Sequence, residues 1–305
     1  MNKSLSTGIL LLYLFFGNVI SALSSDSIES EEIIVFFEPP LRSKAEDIIE
    51  FYPKTKAKLE KIINWEINFK PVVVLFNERE MFLRSTGDDN IVAFARPERN
   101  LIVIDYSRMR NRNFIPESLM EHELCHLLIH QHIHEKNLPK WFDEGLAQWV
   151  SNGISDMLIN DKSLSISSIM LSDRHINIRS LEQSFPRETR LLMFSYEVSK
   201  SFVGYIINEY GLKKMQNILE RLESGENFET SVLKTLSVSF EELEMDWNAS
   251  LKNKNAWFRF LIAHLYEILF SLAAILLIVG FIKAVIRKRT YNRYEDEEDS
   301  FFGKK

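Results

Sequence analysis

The apolar positions of this chain follow two periods in succession. The run "EEIIVFFEP", residues 31–39, is β-branched and aromatic over a strand's length, and "PVVVLF", residues 71–76, repeats that character. Between them "AEDIIEFYPKTKAKLEKIINW", residues 45–65, carries apolar residues at helical spacing around Pro53. "NIVAFA" and "NLIVIDY" are two further extended runs, and the short "RPER" between them predicts a hairpin. From Pro116 the period becomes helical and stays so, with "SYEVSKSFVGYIINEYG" and "GLKKMQNILERLESG" each closing at a glycine that suits a C-cap. The expected fold is α+β: a small mixed sheet with helices in an N-terminal lobe, then a mainly helical C-terminal lobe.

Both ends depart from that pattern. Residues 1–24 have Lys3 in a polar head, an apolar run from Ile9 to Ile20 and small residues near Ser21, Ala22 and Ser24, the arrangement of a secretory signal peptide. An uncleaved N-terminal anchor is the alternative, because Ile20 falls at the −3 position of a cut after Ala22. Residues 261–286 are predominantly apolar and long enough for one transmembrane helix. His264 and Glu267 fall near its outer end as interfacial residues, and Lys283 can snorkel at the other. Arg287, Lys288, Arg289 and Arg293 then place residues 287–305 in the cytoplasm, the acidic "EDEED" being a short solvated tail. Residues 25–255 carry no internal repeat and no Pro/Gly/Ser-rich linker, so they form a single ectodomain of two packed lobes outside the cytoplasm, periplasmic or extracellular.

Composition narrows the function. With 46% apolar and 26% charged residues the chain can bury a sizeable core. A net charge of −6, with no basic block before the far C-terminus, argues against nucleic acid as a partner. The one cysteine, Cys125, excludes an intrachain disulfide.

Chemistry concentrates in "MEHELCHLLIHQHIHEKNLPKWFDEGLAQW", residues 120–149, which holds five of the seven histidines. His122, Glu123 and His126 form H-E-x-x-H. On a helix the two histidines stand one turn apart on one face, close enough to share one Zn2+. Glu123 projects beside the metal, where it can take a proton from a zinc-activated water. Two residues compete as third ligand. His132 lies ten residues after His122, where metzincins place a histidine, but Ile129 stands where their pattern has a helix-breaking glycine, so an unbroken helix points His132 elsewhere. His130 shares the face of His122 but lies too far along the axis, a partly exposed helix residue. Glu144 follows a break at Asn137 to Pro139 and opens a new amphipathic segment, which makes it the better third ligand. Cys125 packs inward in preference to closing the site as a fourth ligand.

"HELCH" followed by "LPKWFDEGLAQW" resembles the gluzincin zinc peptidases, particularly the peptidase MA-like group, in which H-E-x-x-H precedes a W-x-x-E-G segment. The resemblance covers residues 32 to 252 and implies a catalytic zinc site of His122, His126 and Glu144 with an open fourth position. Glu123 would be the general base of a hydrolase acting on peptide or protein substrates. In that pattern the residue directly before the glycine binds, so Asp143 turns away. Where gluzincins often carry an acidic residue that orients a zinc histidine, Gln148 stands, an amide that can still accept an imidazole N–H. Tyr196 is similar to a tyrosine of related sequences and would donate to the oxyanion. "NIVAFA" occupies the place where the class offers an edge strand to an extended peptide. The expected function is a membrane-anchored zinc-dependent peptidase; the alternative is a degenerate zinc domain serving as a non-catalytic binding module or envelope scaffold.

The two end segments generate the first prediction. Reporter fusions are expected to place residues 30 to 250 outside the cytoplasm and residue 300 inside it. A cytoplasmic signal from fusions within the ectodomain would overturn the topology.

Overall fold

The computed structural model describes residues 26–86, 91–109, 116–153 and 176–302. The signal-peptide reading of residues 1–24 lies outside them. The chain divides into two compact units, Met1–Ala249 and Ser250–Lys305.

The first unit begins with strands β1 (Asp26–Glu29) and β2 (Ile34–Phe37), helix α1 (Arg42–Ile63), strand β3 (Val72–Phe76) and helix α2 (Arg79–Thr86). A hairpin follows, β4 (Ala93–Arg96) and β5 (Leu101–Asp105). Together the strands make one five-stranded mixed sheet in the order β1-β2-β3-β5-β4. β2, β3 and β5 run parallel, while β1 and β4 lie antiparallel on the two edges. The central strands read as unbroken apolar runs because both faces are covered. Phe36, Val74, Phe76, Leu101 and Val103 meet Phe82 of α2 on one face. Alternation sends Val73, Leu75, Ile102 and Ile104 to the other face. Pro53 lies inside α1, which runs unbroken for 22 residues and ends at Asn64 in the left-handed conformation. The expected mixed sheet and the hairpin are both present. β1, whose sequence "DSIE" is polar, and the eight-residue α2 were not foreseen.

The second lobe is helical. Helices α3 (Pro116–His132), α4 (Lys140–Val150), α5 (Thr189–Tyr210), α6 (Leu212–Glu223), α7 (Phe228–Leu236) and α8 (Phe240–Ala263) follow in order. α3 packs against α1, β4 and β5 on one side and against α4 on the other. Residues 119–129 of α3 are buried without interruption, so the helix is enclosed all round. α4 is fixed from its other side by Trp141, whose ring lies 5.1 Å from that of Phe202, 5.0 Å from Phe228 and 6.0 Å from Phe240.

In the second unit helix α9 (Leu265–Phe302) follows His264. Its stretch Leu265–Val285, 21 residues with a mean hydropathy of 2.6, is long and apolar enough to cross a membrane. The helix begins at Leu265 and continues through the acidic stretch 295–299. His264 pairs with Glu267, Nδ1 to Oε2 2.6 Å, within this unit.

Where α4 crosses α5, Gly145 allows backbone contact: a Cβ at this position would stand 2.5 Å from the Ser199 carbonyl oxygen and 2.8 Å from its carbon. Backbone cannot yield as a flexible side chain would. Gly145→Ala is expected to destabilise the first unit by about 1–3 kcal/mol. In thermal unfolding this is a fall in Tm of roughly 2–12 °C. An unchanged Tm would show that the two helices separate freely.

Candidate metal centre

Helix α3 delivers His122 and His126 one turn apart, and the start of α4 delivers Asp143 in its first turn and Glu144 just after it. Pro139 precedes that turn with extended backbone, and the Lys140 N–H donates to the Glu182 carbonyl, so the start of α4 is held in place. Three donor atoms converge. His122 Nε2 and His126 Nε2 are 3.1 Å apart, and Glu144 Oε2 lies 3.6 Å from the first and 3.5 Å from the second. A tetrahedral ion with ligands at about 2.1 Å needs donors separated by roughly 3.4 Å, so the triangle has the dimensions of three ligands around one zinc-sized cation. Glu144 Oε2 is buried and makes no hydrogen bond, an orphan acceptor that a cation would satisfy.

The carboxylates around the triangle are shifted in opposite directions. Burial opposes ionisation of Glu144, but Lys140, then His126, hold its carboxyl well below the usual range. Lys140 Nζ donates to Glu144 Oε1 at 2.6 Å, leaving Oε2 for the triangle. Burial pushes the Glu123 carboxyl up, with His122 and His126 pulling the other way. Burial also pushes the Cys125 thiol up; it is buried and takes no part in the triangle.

Asp143 does not turn away. Its Oδ1 accepts from His126 Nδ1 at 2.7 Å and its Oδ2 from His130 Nε2 at 3.1 Å. His126 therefore presents Nε2 to the triangle and its other edge to a carboxylate, the arrangement that orients a metal-binding histidine. The charge of His126 and the hydrogen bonds from His126 and His130 overcome burial and hold Asp143 well below its usual range. His122 differs: its Nδ1 is buried and has no partner, so Gln148 does not accept from it. His132 is remote from this chemistry. It stacks on Trp65 with ring centroids 4.3 Å apart and pairs with Glu223, Nδ1 to Oε1 2.8 Å.

A cavity of about 880 Å3 opens onto the triangle. His122, Glu123, Glu144 and Tyr196 line it together with Ala93 and Phe94 of β4. Tyr196 is half-buried, and its ring packs edge-on against Phe185 at 5.3 Å. Among the described residues no strand pairs with the outer side of β4.

The chain belongs to the peptidase MA superfamily, whose model matches residues 88–253, more than half of the 305 residues. That span contains both histidines, Glu144 and Tyr196. Among solved structures the chain is similar to a two-domain M1 zinc metallopeptidase mutant bound to L-arginine. The identity is 11% and the TM-score 0.46, with 74% of this chain and 51% of that one covered. An M1 zinc metallopeptidase from Deinococcus radiodurans aligns at 13% identity and TM-score 0.45, covering 73% of this chain and 50% of that one. Aminopeptidase A of Legionella pneumophila in complex with aspartic acid aligns at 12% identity and TM-score 0.44, covering 73% and 27%. The chain thus spans about half the length of the first of these or less. No curated protein matches it.

Asp143→Ala removes the acceptor from His126 while leaving all three donors of the triangle. It is expected to weaken Zn2+ binding by roughly 10- to 100-fold, read by competition with a chelator. Affinity equal to wild type would reduce Asp143 to a helix-packing residue.

Proposed function

We propose that this chain is a membrane-anchored zinc-dependent peptidase whose catalytic domain, residues 25–255, lies outside the cytoplasm. The observation that carries the reading is the triangle of His122, His126 and Glu144 opening, with Glu123, into a cavity bordered by an edge strand. His122, His126 and Glu144 would hold the zinc. Bound there, the ion would supply Lewis acidity toward a substrate carbonyl and lower the pKa of water.

The rest falls to the chain's own side chains. β4 can receive an extended peptide on its outer edge by strand addition, which lays the scissile bond along the cavity. Glu123, its carboxyl raised by burial, takes the proton from the attacking water and passes it to the leaving amine. Tyr196, on the same cavity wall, donates its phenol hydrogen to the oxygen that gains charge in the transition state. The apolar stretch Leu265–Val285 would anchor the domain at a membrane.

One observation favours the second reading, a degenerate zinc domain that binds a partner without turnover: His122 lacks an acceptor for its Nδ1. Metal content and peptide cleavage, measured on the same preparations of full chain in detergent, separate the two. Glu123→Gln is expected to keep about one zinc per chain and lose activity, because the triangle is intact and the base is gone. Glu144→Ala should lose both together. Tyr196→Phe should retain zinc and KM while turnover falls roughly 10- to 1,000-fold. Zinc bound by wild type with no cleavage of any peptide library would make the binding module the better account. Absence of zinc from wild type would sink both.

A further inference from the structure

Lys140 breaks a local rule. It is the first residue of α4, where the positive end of the helix dipole disfavours a cation, and the residues around it are buried. A sequence that places a charge against its local preference at the rim of a site points to a role beyond folding. The role is visible in how Glu144 divides its oxygens: Oε1 accepts from Lys140 Nζ at 2.6 Å, and Oε2 faces the two histidines at 3.5 and 3.6 Å without a hydrogen bond. The lysine backbone is fixed too, since its N–H donates to Glu182. Lys140 also lines the main cavity and a neighbouring one of about 540 Å3, so it stands between them beside the triangle.

We propose that Lys140 is a positioning residue that holds Glu144 to one-oxygen ligation and thereby keeps a coordination position open for the reacting groups. The inference rests on the metal-site reading above. A carboxylate released from such a partner can turn both oxygens to a cation, and a fourth protein donor would close the position that distinguishes a catalytic site from a structural one. Lys140 does this from outside the triangle, touching neither the histidines nor the reacting atoms. Arginine at the same place would keep the charge and the donors. Methionine would keep the length of the stem and remove both.

The test is cobalt substitution in the full chain, because the visible absorption of Co2+ weakens as its coordination number rises from four to five. Wild type is expected to show the intense four-coordinate band, Lys140→Met to bind one Co2+ per chain with that band lost, and Lys140→Arg to restore it. Equal bands in wild type and Lys140→Met would overturn the assignment while leaving the metal centre standing. Loss of the band in Lys140→Met and Lys140→Arg alike would reveal a packing defect and equally overturn it. A wild-type chain that takes up no Co2+ or Zn2+ would remove the metal site itself.

Discussion

The structure is organised around charged and polar groups buried on α3 and α4. α3 is enclosed over residues 119–129, yet it carries Glu121, His122, Glu123 and His126 in that stretch. Burying an ion costs several kcal/mol even after relaxation, so each such group demands a partner at hydrogen-bond distance. Lys58 of α1 supplies one for Glu121, Nζ to Oε2 2.7 Å, and Asp143 supplies one for His126. α4 is brought in with its own need, since Glu144 is buried and answered by Lys140. Removing one member of a buried pair such as His126–Asp143 typically costs about 3–5 kcal/mol. The first turn of α4 is therefore tied to α3 by electrostatics as well as by packing.

The remaining architecture keeps those two helices in register. On one side the sheet and α1 form a rigid backing for α3. The hairpin turn is fastened to the far end of the same helix, because Gln131 Nε2 donates to Asn100 Oδ1 at 2.7 Å and to the Pro97 carbonyl at 3.2 Å. That tie sets β4 alongside the cavity, so the edge strand and the histidines move as one body. On the other side Trp141 and its aromatic neighbours anchor α4, and Gly145 lets it approach α5 to backbone distance. A metal site tolerates displacements of only about 0.5 Å, and here the tolerance is met by close packing on both flanks.

How far the sequence could be read depended on where each residue's role came from. The strands "VVVLF" and "LIVID" were legible because burial on both faces forces an unbroken apolar run, and the helix carrying His122 and His126 because its spacing repeats each turn. β1 was not: "DSIE" pairs through its backbone on an edge and leaves no apolar signature. α2 is too short for periodicity to show. Asp143 was set aside because in the pattern the sequence resembles the residue directly before the glycine binds and its neighbour turns away. What that argument missed is the shape of imidazole. Its two nitrogens lie on different edges of the ring, so Glu144 can face Nε2 of His126 while Asp143 meets Nδ1. Lys140 stands four residues before Glu144, an i,i+4 pair that helix spacing alone brings together and that the sequence reading did not use.

The same geometry constrains how a cation could enter. His126 donates from Nδ1 to Asp143, which leaves its Nε2, 3.1 Å from that of His122, to bind either a proton or a cation. Burial opposes a charge on His126, but Asp143 and Glu144 hold that imidazole's pKa well above its usual value. A divalent ion seated among these three atoms competes with protonation of His126, so its affinity falls as pH falls. Asp143 works in both directions here. It strengthens His126 as a donor to metal and, by the same charge, strengthens its hold on the competing proton. Lys140 acts in the opposite sense by drawing charge from Glu144. The site balances these two neighbours, and both come from the first turn of α4.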